Sequence, residues 1–473
     1  VARFGSIAGV HLTPALRWIR GLFLCIATFF LISAVSFWVH GDQSRLRDRV
    51  KDGLPAIETG EASGQPWVDC VVLSGIVAPA AGLVDYIGSP GTLSDEPCPS
   101  LHDMLLTGDT TGLGPYDRYW FGSIYLTTIG LAVFDLATLQ LVNKALLILS
   151  IASFGLAGYL RLGQDLRLAP VIVAAGLLAG LGIGKFGGDV GSAAAYHLPI
   201  FALAGFLALS QGPGDAGKAA WLGGIVGALS GYYDTLSGGI PFALSLCILT
   251  YFLLWQNQVG ATRSLRELIA EFAIVSIAFF LSVVALVALK LFFAAIILGH
   301  PHAVAQFKGQ LLWRTSADGL GGTRLSAAAT VFAKLLGKAP AAFLFGWYGA
   351  LFTYVLGAVS WIAALLGAMH RYASSRDAAG AARFIGPLLA AGVVPAWFIL
   401  FLSHGFIHAS FMTRVVCLVP TFGIAAAWMV FAQTRRTPDP ATAGSAGEDP
   451  ASPGGDVRTR SAIGRGVSFS ADP

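Results

Sequence analysis

About ten apolar stretches, at 18–39, 138–160, 169–186, 193–210, 217–233, 240–255, 271–297, 341–369, 385–402 and 407–432, dominate this 473-residue chain. Most are long enough to cross a bilayer. Hydrocarbon offers no partner to a backbone N–H or C=O, so a segment that crosses it must satisfy its own hydrogen bonds as a helix. The expected fold class is an all-α integral membrane protein of about ten transmembrane helices. Composition agrees: 12% of the residues are charged and 55% hydrophobic, where a soluble domain is about a quarter charged. The mean hydropathy is +0.70. Stretches five and six are short and meet at Tyr232-Tyr233-Asp234-Thr235-Leu236-Ser237-Gly238-Gly239-Ile240-Pro241. This turn-rich break reads either as a loop or as the tip of a re-entrant pair.

The connecting loops set an orientation. One alternate set carries Arg161 and Arg167, then Lys218, then Arg263 and Arg266, then Arg371, Arg376 and Arg383, then Arg435 and Arg436. Short loops rich in Lys and Arg stay in the cytoplasm, which places both termini there. Arg17 and Arg20 precede a first stretch too long for a signal-peptide core, and no small-x-small site comes before His40, so an uncleaved first span is expected. The outside then holds two long loops, 41–137 and 298–340. The first returns through Pro115-Tyr116-Asp117-Arg118-Tyr119-Trp120-Phe121-Gly122 to an aromatic interfacial helix ending near Asp135. Residues 1–433 form the polytopic domain, and 434–473, rich in Pro, Gly, Ser, Ala and charge, read as a disordered cytoplasmic tail.

A net charge of +4, with its basic residues spread over short loops, excludes nucleic acid as a partner. Of five cysteines, Cys25, Cys247 and Cys417 lie in apolar stretches. Cys70 and Cys98 share the first outer loop, where an oxidising compartment permits a disulfide. Closing that loop is worth roughly 3–4 kcal/mol if the segment is otherwise mobile.

On this topology the ionisable residues hardest to explain by packing, Asp117, Arg118, Asp189, Asp234, Arg314, His404, His408 and Arg414, fall at or near the outer face. Such groups near lipid cost several kcal/mol unless paired, hydrated or functional. Asp117-Arg118 reads as a local ion pair in an aromatic belt, or as a general base beside an anion-binding arginine. Asp234 reads as a turn or N-cap aspartate, or as a second carboxylate that positions an acceptor or, with Asp117, holds a divalent ion. Arg314 and Arg324 lie in the second long loop, and the planar fork of Arg suits phosphate. In Ser403-His404-Gly405-Phe406-Ile407-His408-Ala409-Ser410-Phe411-Met412-Thr413-Arg414 the two histidines share a helical face. Arg414 lies about 80° round from His404 on an ideal helix and reads either as a pocket residue or as snorkelling to headgroups. No Glu follows His404 as in His-Glu-x-x-His, and no third ligand is evident, so no zinc site is expected. Lys290 and His197 read as snorkelling or satisfied polar residues, and Asp189 as loop punctuation.

These elements together resemble the GT-C superfamily of lipid-phosphosugar-dependent membrane glycosyltransferases. The resemblance rests on the long first outer loop and on Asp117-Arg118-Tyr119-Trp120-Phe121-Gly122, Tyr233-Asp234-Thr235-Leu236, Arg314-Thr315-Ser316, and His404-Gly405-Phe406-Ile407-His408 with Phe411 and Arg414. It implies a bacterial inner-membrane enzyme that moves a sugar from a polyprenyl-phosphate donor, with inversion, to a glycan, lipid or protein acceptor outside. Asp117, or else Asp42, would be the base, Asp234 would orient the acceptor, and Arg118, Arg314, His404, His408 and Arg414 would face the donor phosphate. One departure from the family is clear: no acidic pair follows span one, where Asp42 stands alone, and Asp95-Glu96 comes much later. A polysaccharide polymerase or ligase would want the same outer Arg and His. A lipid or glycan transporter would place its charges at mid-membrane between related halves.

Overall fold

The structure is a computed structural model that describes residues 2–432 apart from 61–63, 89–91, 95, 111–113, 116–119, 121, 211–214, 235–237, 258–264, 318–319, 321–322 and 376–377. The expected tail, 434–473, therefore lies outside the described residues. The chain begins with α1 (Ala2–His40), α2 (Gln43–Glu58), α3 (Pro66–Val77), α4 (Leu83–Gly88), α5 (Pro97–Thr107) and α6 (Gly122–Val133). It continues through α7 (Leu136–Arg161), α8 (Leu168–Gly180), α9 (Ile183–Phe186), α10 (Ala194–Leu209), α11 (Ala216–Tyr233), α12 (Gly239–Asn257) and α13 (Leu265–Phe292). It closes with α14 (Ala303–Thr315), α15 (Arg324–Lys338), α16 (Gly346–Ser375), α17 (Ala378–Leu400), α18 (Leu402–Ile407), α19 (Ala409–Met412) and α20 (Leu418–Ala432). Among the described residues the one extended pairing is a two-residue antiparallel ladder, Thr92 opposite Pro115 and Leu93 opposite Gly114.

Among the described residues seven segments are long and apolar enough to cross a membrane: Pro14–His40, Leu136–Arg161, Gly239–Asn257, Arg266–Ile297, Gly346–Ser374, Ala381–Leu400 and Thr413–Ala432. The other three expected spans are weaker. The stretch 169–186 breaks where Gly182 turns at φ +64°, leaving α8 with 13 residues. Helix α10 has 16 residues, and α11 dilutes its apolar residues with glycine and alanine. The last span begins at Thr413 rather than 407, because the chain pauses at His408 between α18 and α19. Trp38, Tyr348 and Phe352 are 83%, 85% and 68% exposed. Apolar faces so bare are lipid-facing faces, since a soluble monomer rarely exposes such contiguous area.

Inside the bundle α12 is buried along its whole length. Beside it α11 packs on α13 along Gly223, Gly227 and Gly231, a four-residue spacing that turns three bare backbones toward one neighbour. A Cβ at Gly223 would strike the Val275 carbonyl, and one at Gly227 the Phe279 backbone.

The first long loop is a helical layer with its own core. Helix α2 buries Leu46, Val50, Leu54 and Ile57 at helical spacing, and these meet Val72 and Ile76 of α3, Met104 of α5 and Leu131 of α6. The Cys70–Cys98 disulfide joins α3 to α5, as expected, with S–S 2.05 Å. Helix α6 differs from the expected interfacial ribbon. Its apolar residues are not confined to one stripe, and it packs against α1, α3 and α7, burying Ile124, Tyr125 and Leu131. Asp135 opens the next helix rather than closing this one. Its carboxylate accepts the Thr138 N–H at 2.7 Å, and this bond holds its pKa below the usual carboxylate range.

Candidate functional site

Ser316 and Ser403 bring two distant segments together. Ser403 donates both its backbone N–H (3.2 Å) and its hydroxyl (2.8 Å) to the Ser316 carbonyl, tying the end of α14 to the start of α18. Arg314 therefore lies against His404, its Nη1 2.7 Å from Nδ1. The same Nη1 lies 3.2 Å from Nε2, and since a guanidinium only donates, the ring nitrogen that pairs with it must accept. His404 and His408 keep the shared face expected of them even though the helix pauses there, with ring centroids 4.6 Å apart, edge to face. His408, ahead of the span that starts at Thr413, is neutral at physiological pH. Burial pushes its pKa down to about 4, and the Arg314 charge adds to the shift. Arg314 is 7% exposed and His404 2%, so neither is a solvated loop residue. Arg324 is such a residue: exposed, it donates to the Thr315 carbonyl at the C-terminus of α14.

Arg414 turns elsewhere. The short 3-10 turn Thr413–Cys417 re-aims its side chain away from His404 and toward the start of α10. There Nε donates to the Tyr196 hydroxyl at 2.9 Å and Nη2 to Ser192 Oγ at 3.2 Å. The guanidinium carbon lies 4.0 Å from the Tyr196 ring centroid and 5.2 Å from that of Phe186. Ser192 Oγ also accepts from Gln65 Nε2 at 3.1 Å. Arg414 is 2% exposed, so it is a buried cation and not a snorkelling one. Its hydrogen-bond acceptors here are neutral hydroxyls.

Asp234 approaches the same tyrosine. Its Oδ2 accepts the Ile240 N–H at 2.8 Å in the first turn of α12, which makes it the helix-start acceptor that the turn pattern implied, yet it is 2% exposed. Between them Gly238 takes φ +99°. A Cβ there would come within 2.9 Å of the Val415 side chain and 3.2 Å of the Tyr196 hydroxyl, so only glycine lets this turn close over Tyr196.

The expected single constellation is therefore two. Arg314, His404 and His408 form one group, and Asp234, Tyr196, Ser192 and Arg414 the other. Asp42 joins neither: exposed, it caps α2 by accepting from the Arg45 N–H at 3.4 Å and the Ser44 hydroxyl at 3.2 Å. Asp117 and Arg118 lie outside the described residues. Trp120, three positions on from Asp117, packs against Tyr232 with centroids 5.7 Å apart and the rings tilted by 35°, and donates to the Leu286 carbonyl at 2.7 Å. Lys290 is fully buried, not snorkelling; it donates to the Gly88 carbonyl and lies over the Trp120 ring. Asp189 is likewise more than loop punctuation. Fully buried, it accepts the Gly64 N–H at 2.8 Å, while Asp69 accepts the Gly191 N–H at the same distance, so two carboxylates pin the segment that carries Ser192.

Tyr196, Ser192 and Gln65 escaped the sequence reading. A Ser and a Tyr four residues apart at the start of an apolar stretch is the signal that was there to be used. Among the described residues no three His, Cys, Asp or Glu side chains converge as a metal centre requires. The chain matches no protein-family model, no curated protein and no solved structure.

Proposed function

We propose that this chain is a bacterial inner-membrane glycosyltransferase of GT-C type, taking a sugar from a polyprenyl-phosphate donor and passing it to an extracytoplasmic acceptor. Arg414 carries the reading: a buried guanidinium held by neutral hydroxyls and ring faces is a cation in want of an anion. A phosphate that gains charge as its bond to the sugar breaks gains most from such a group in the transition state. Arg314 would serve as a second phosphate contact, with His404 and His408 as further donors. Asp234 would position the acceptor, and Asp117 would take its proton. The packing of Trp120 on Tyr232, two residues before Asp234, supports bringing those stretches of chain together. Asp42, committed to capping α2, is the less favoured candidate for that role.

Ten spans with both termini cytoplasmic complete the proposal. Contacts among the segments assigned inside favour it: Arg17 pairs with Asp215 at 3.0 Å, Arg383 with Asp165 at 3.9 Å, and Asn257 Nδ2 donates to the Arg161 carbonyl at 3.3 Å. Cysteines placed at Ser316 and Ser374 should be labelled by an impermeant thiol reagent from opposite sides of the membrane. Labelling from one side alone would remove the topology.

The activity itself is tested in sealed vesicles given a panel of polyprenyl-phosphate-linked radiolabelled hexoses. One donor should lose its label to an acceptor on the outer face, and Arg414→Met should slow that loss by about 100-fold or more, the scale for removing a charge-stabilising donor. If label stays on the carrier with every hexose while the carrier crosses the bilayer, the chain is a transporter.

A further inference from the structure

Helices α14 and α15 are held at the level where four spans end. The span Arg266–Ile297 gives way at Gly299, φ +69°, to the turn that leads into α14. The other end of α14 is tied through Ser316 to Ser403, just past the span Ala381–Leu400. Helix α15 accepts the Thr413 hydroxyl on its Leu335 carbonyl at 2.7 Å, and Thr413 opens the span Thr413–Ala432. Its own C-terminus runs through Pro340 to the span Gly346–Ser374. With 13 and 15 residues, α14 and α15 are too short to cross a bilayer, so the chain from Ile297 to Gly346 stays on one face. The span Ala381–Leu400, which follows Gly346–Ser374 after a short connection, returns to that face. Both helices therefore lie along the membrane surface.

What they turn outward is apolar and basic together. On α14 the stripe Ala303, Phe307, Gln310 and Arg314 faces the protein, while Val304, Leu311, Leu312 and Trp313 are exposed beside Lys308. On α15 Ala328, Val331 and Leu335 are buried, and Leu325, 82% exposed, forms with Ala329 and Leu336 a second apolar stripe about 100° round the helix. Ser326, Thr330 and Gly337 occupy the back, also exposed. A buried stripe, a bare apolar flank and a polar back suit a helix half-sunk in a bilayer interface, where Trp also concentrates. The charge is one-sided. From Leu298 to Phe345 the basic residues are Lys308, Arg314, Arg324, Lys334 and Lys338, against Asp318 alone. Arg314 meets His404, and Lys334 lies 3.6 Å from the Phe406 ring centroid. Lys308, Arg324 and Lys338 are exposed. Basic side chains beside an apolar flank, at the depth of the span ends, complement the phosphates of an anionic bilayer surface. A polypeptide would first have to displace lipid from that flank.

We propose that α14 and α15 form a docking surface for the anionic phospholipid headgroups of the surrounding leaflet, with Lys308, Arg324 and Lys338 on the phosphates and the exposed leucines among the upper acyl carbons. The proposal rests on the spans and not on the transfer reading, since its test uses no sugar donor.

The full chain in nanodiscs is photolabelled with phosphatidylglycerol carrying a diazirine near the glycerol end of one acyl chain, and separately with the matching phosphatidylcholine, and the labelled peptides are mapped. Phosphatidylglycerol should mark 303–338 about five-fold more, the factor for one basic residue at an anionic headgroup. The two lipids should mark 347–366, on the bare face of α16, equally. Exchanging Lys308, Arg324 and Lys338 together for Gln should bring 303–338 to parity without lowering the phosphatidylcholine mark. Adding about 0.5 M NaCl to the wild type should do the same, which keeps the test open if the triple variant does not fold. Glycerol phosphate at matched ionic strength should do no more than chloride; if it alone removed the preference, the residues would bind a free phosphate and the bilayer surface would be the wrong partner. Equal marking of 303–338 at low salt, or a preference that survives both the variant and salt, would overturn the proposal. So would the absence of any mark there from either lipid, which would put the two helices in water or under a protein partner.

Discussion

Replacing Arg414 by Met should make the ligand-free protein at least as stable as it is now, while abolishing its response to a lipid-linked phosphate. The two halves of this expectation come from one fact. Arg414 is 2% exposed and hydrogen-bonded to the Tyr196 and Ser192 hydroxyls, while Asp234, the carboxylate of its group, is bonded to the Ile240 N–H, so its hydrogen bonds go to neutral acceptors and its flanks to ring faces. Exchanging a buried charge for a well-packed apolar side chain of similar volume is commonly neutral, or stabilising by about 1–4 kcal/mol. The hydroxyls left behind can rotate toward each other or toward Gln65. Thermal unfolding in detergent, with and without polyprenyl phosphate, measures both halves. The wild type should gain stability from the phosphate and the Met variant should not; Arg414→Lys, which keeps the charge and loses the fork, should respond weakly. A Met variant that unfolds several degrees earlier without ligand would mean that Arg414 holds the fold together, and the anion-site reading would fail.

What the sequence disclosed here divides by the distance over which each feature is determined. Helix limits set by local periodicity came through closely: the stretch read as 138–160 is Leu136–Arg161, and that read as 217–233 is Ala216–Tyr233. His404 and His408 were readable as a pair because four residues along one turn is a local matter. The partner of His404 was not. Arg314 reaches it only because Ser403 is bonded to Ser316 across 87 positions of sequence. The direction of Arg414 failed for a different reason. Its expected position, about 80° round from His404, assumes an uninterrupted helix, and the chain instead halts at His408 and winds into a 3-10 turn before Arg414. Residues 41–137 read as a loop because polar faces such as that of α2 hide a second core. The spacing of Leu46, Val50, Leu54 and Ile57 was nonetheless there to be counted.

The glycines of α11 carried another legible signal that composition alone obscures, and they support the strongest stability prediction. Gly223, Gly227 and Gly231 recur every four residues and face α13 so closely that an added Cβ at Gly227 would meet the Phe279 backbone rather than a movable side chain. Ordinarily Gly→Ala in a helix gains up to about 1 kcal/mol by propensity. At Gly227 that gain should be overwhelmed, since backbone cannot rotate aside and the helices must part; overpacking of this kind costs about 1–3 kcal/mol, and a larger side chain costs more. Gly227→Ala should therefore lower the unfolding midpoint in detergent, and Gly227→Leu should leave little monodisperse protein. Gly392 of α17, where an added Cβ meets nothing within 4 Å, is the matched control, and Gly392→Ala should raise the midpoint slightly. Opposite signs at the two positions follow from packing alone. If Gly227→Ala proved as harmless as Gly392→Ala, the close approach of α11 and α13 would be wrong, and with it the placement of Asp234 at the end of α11.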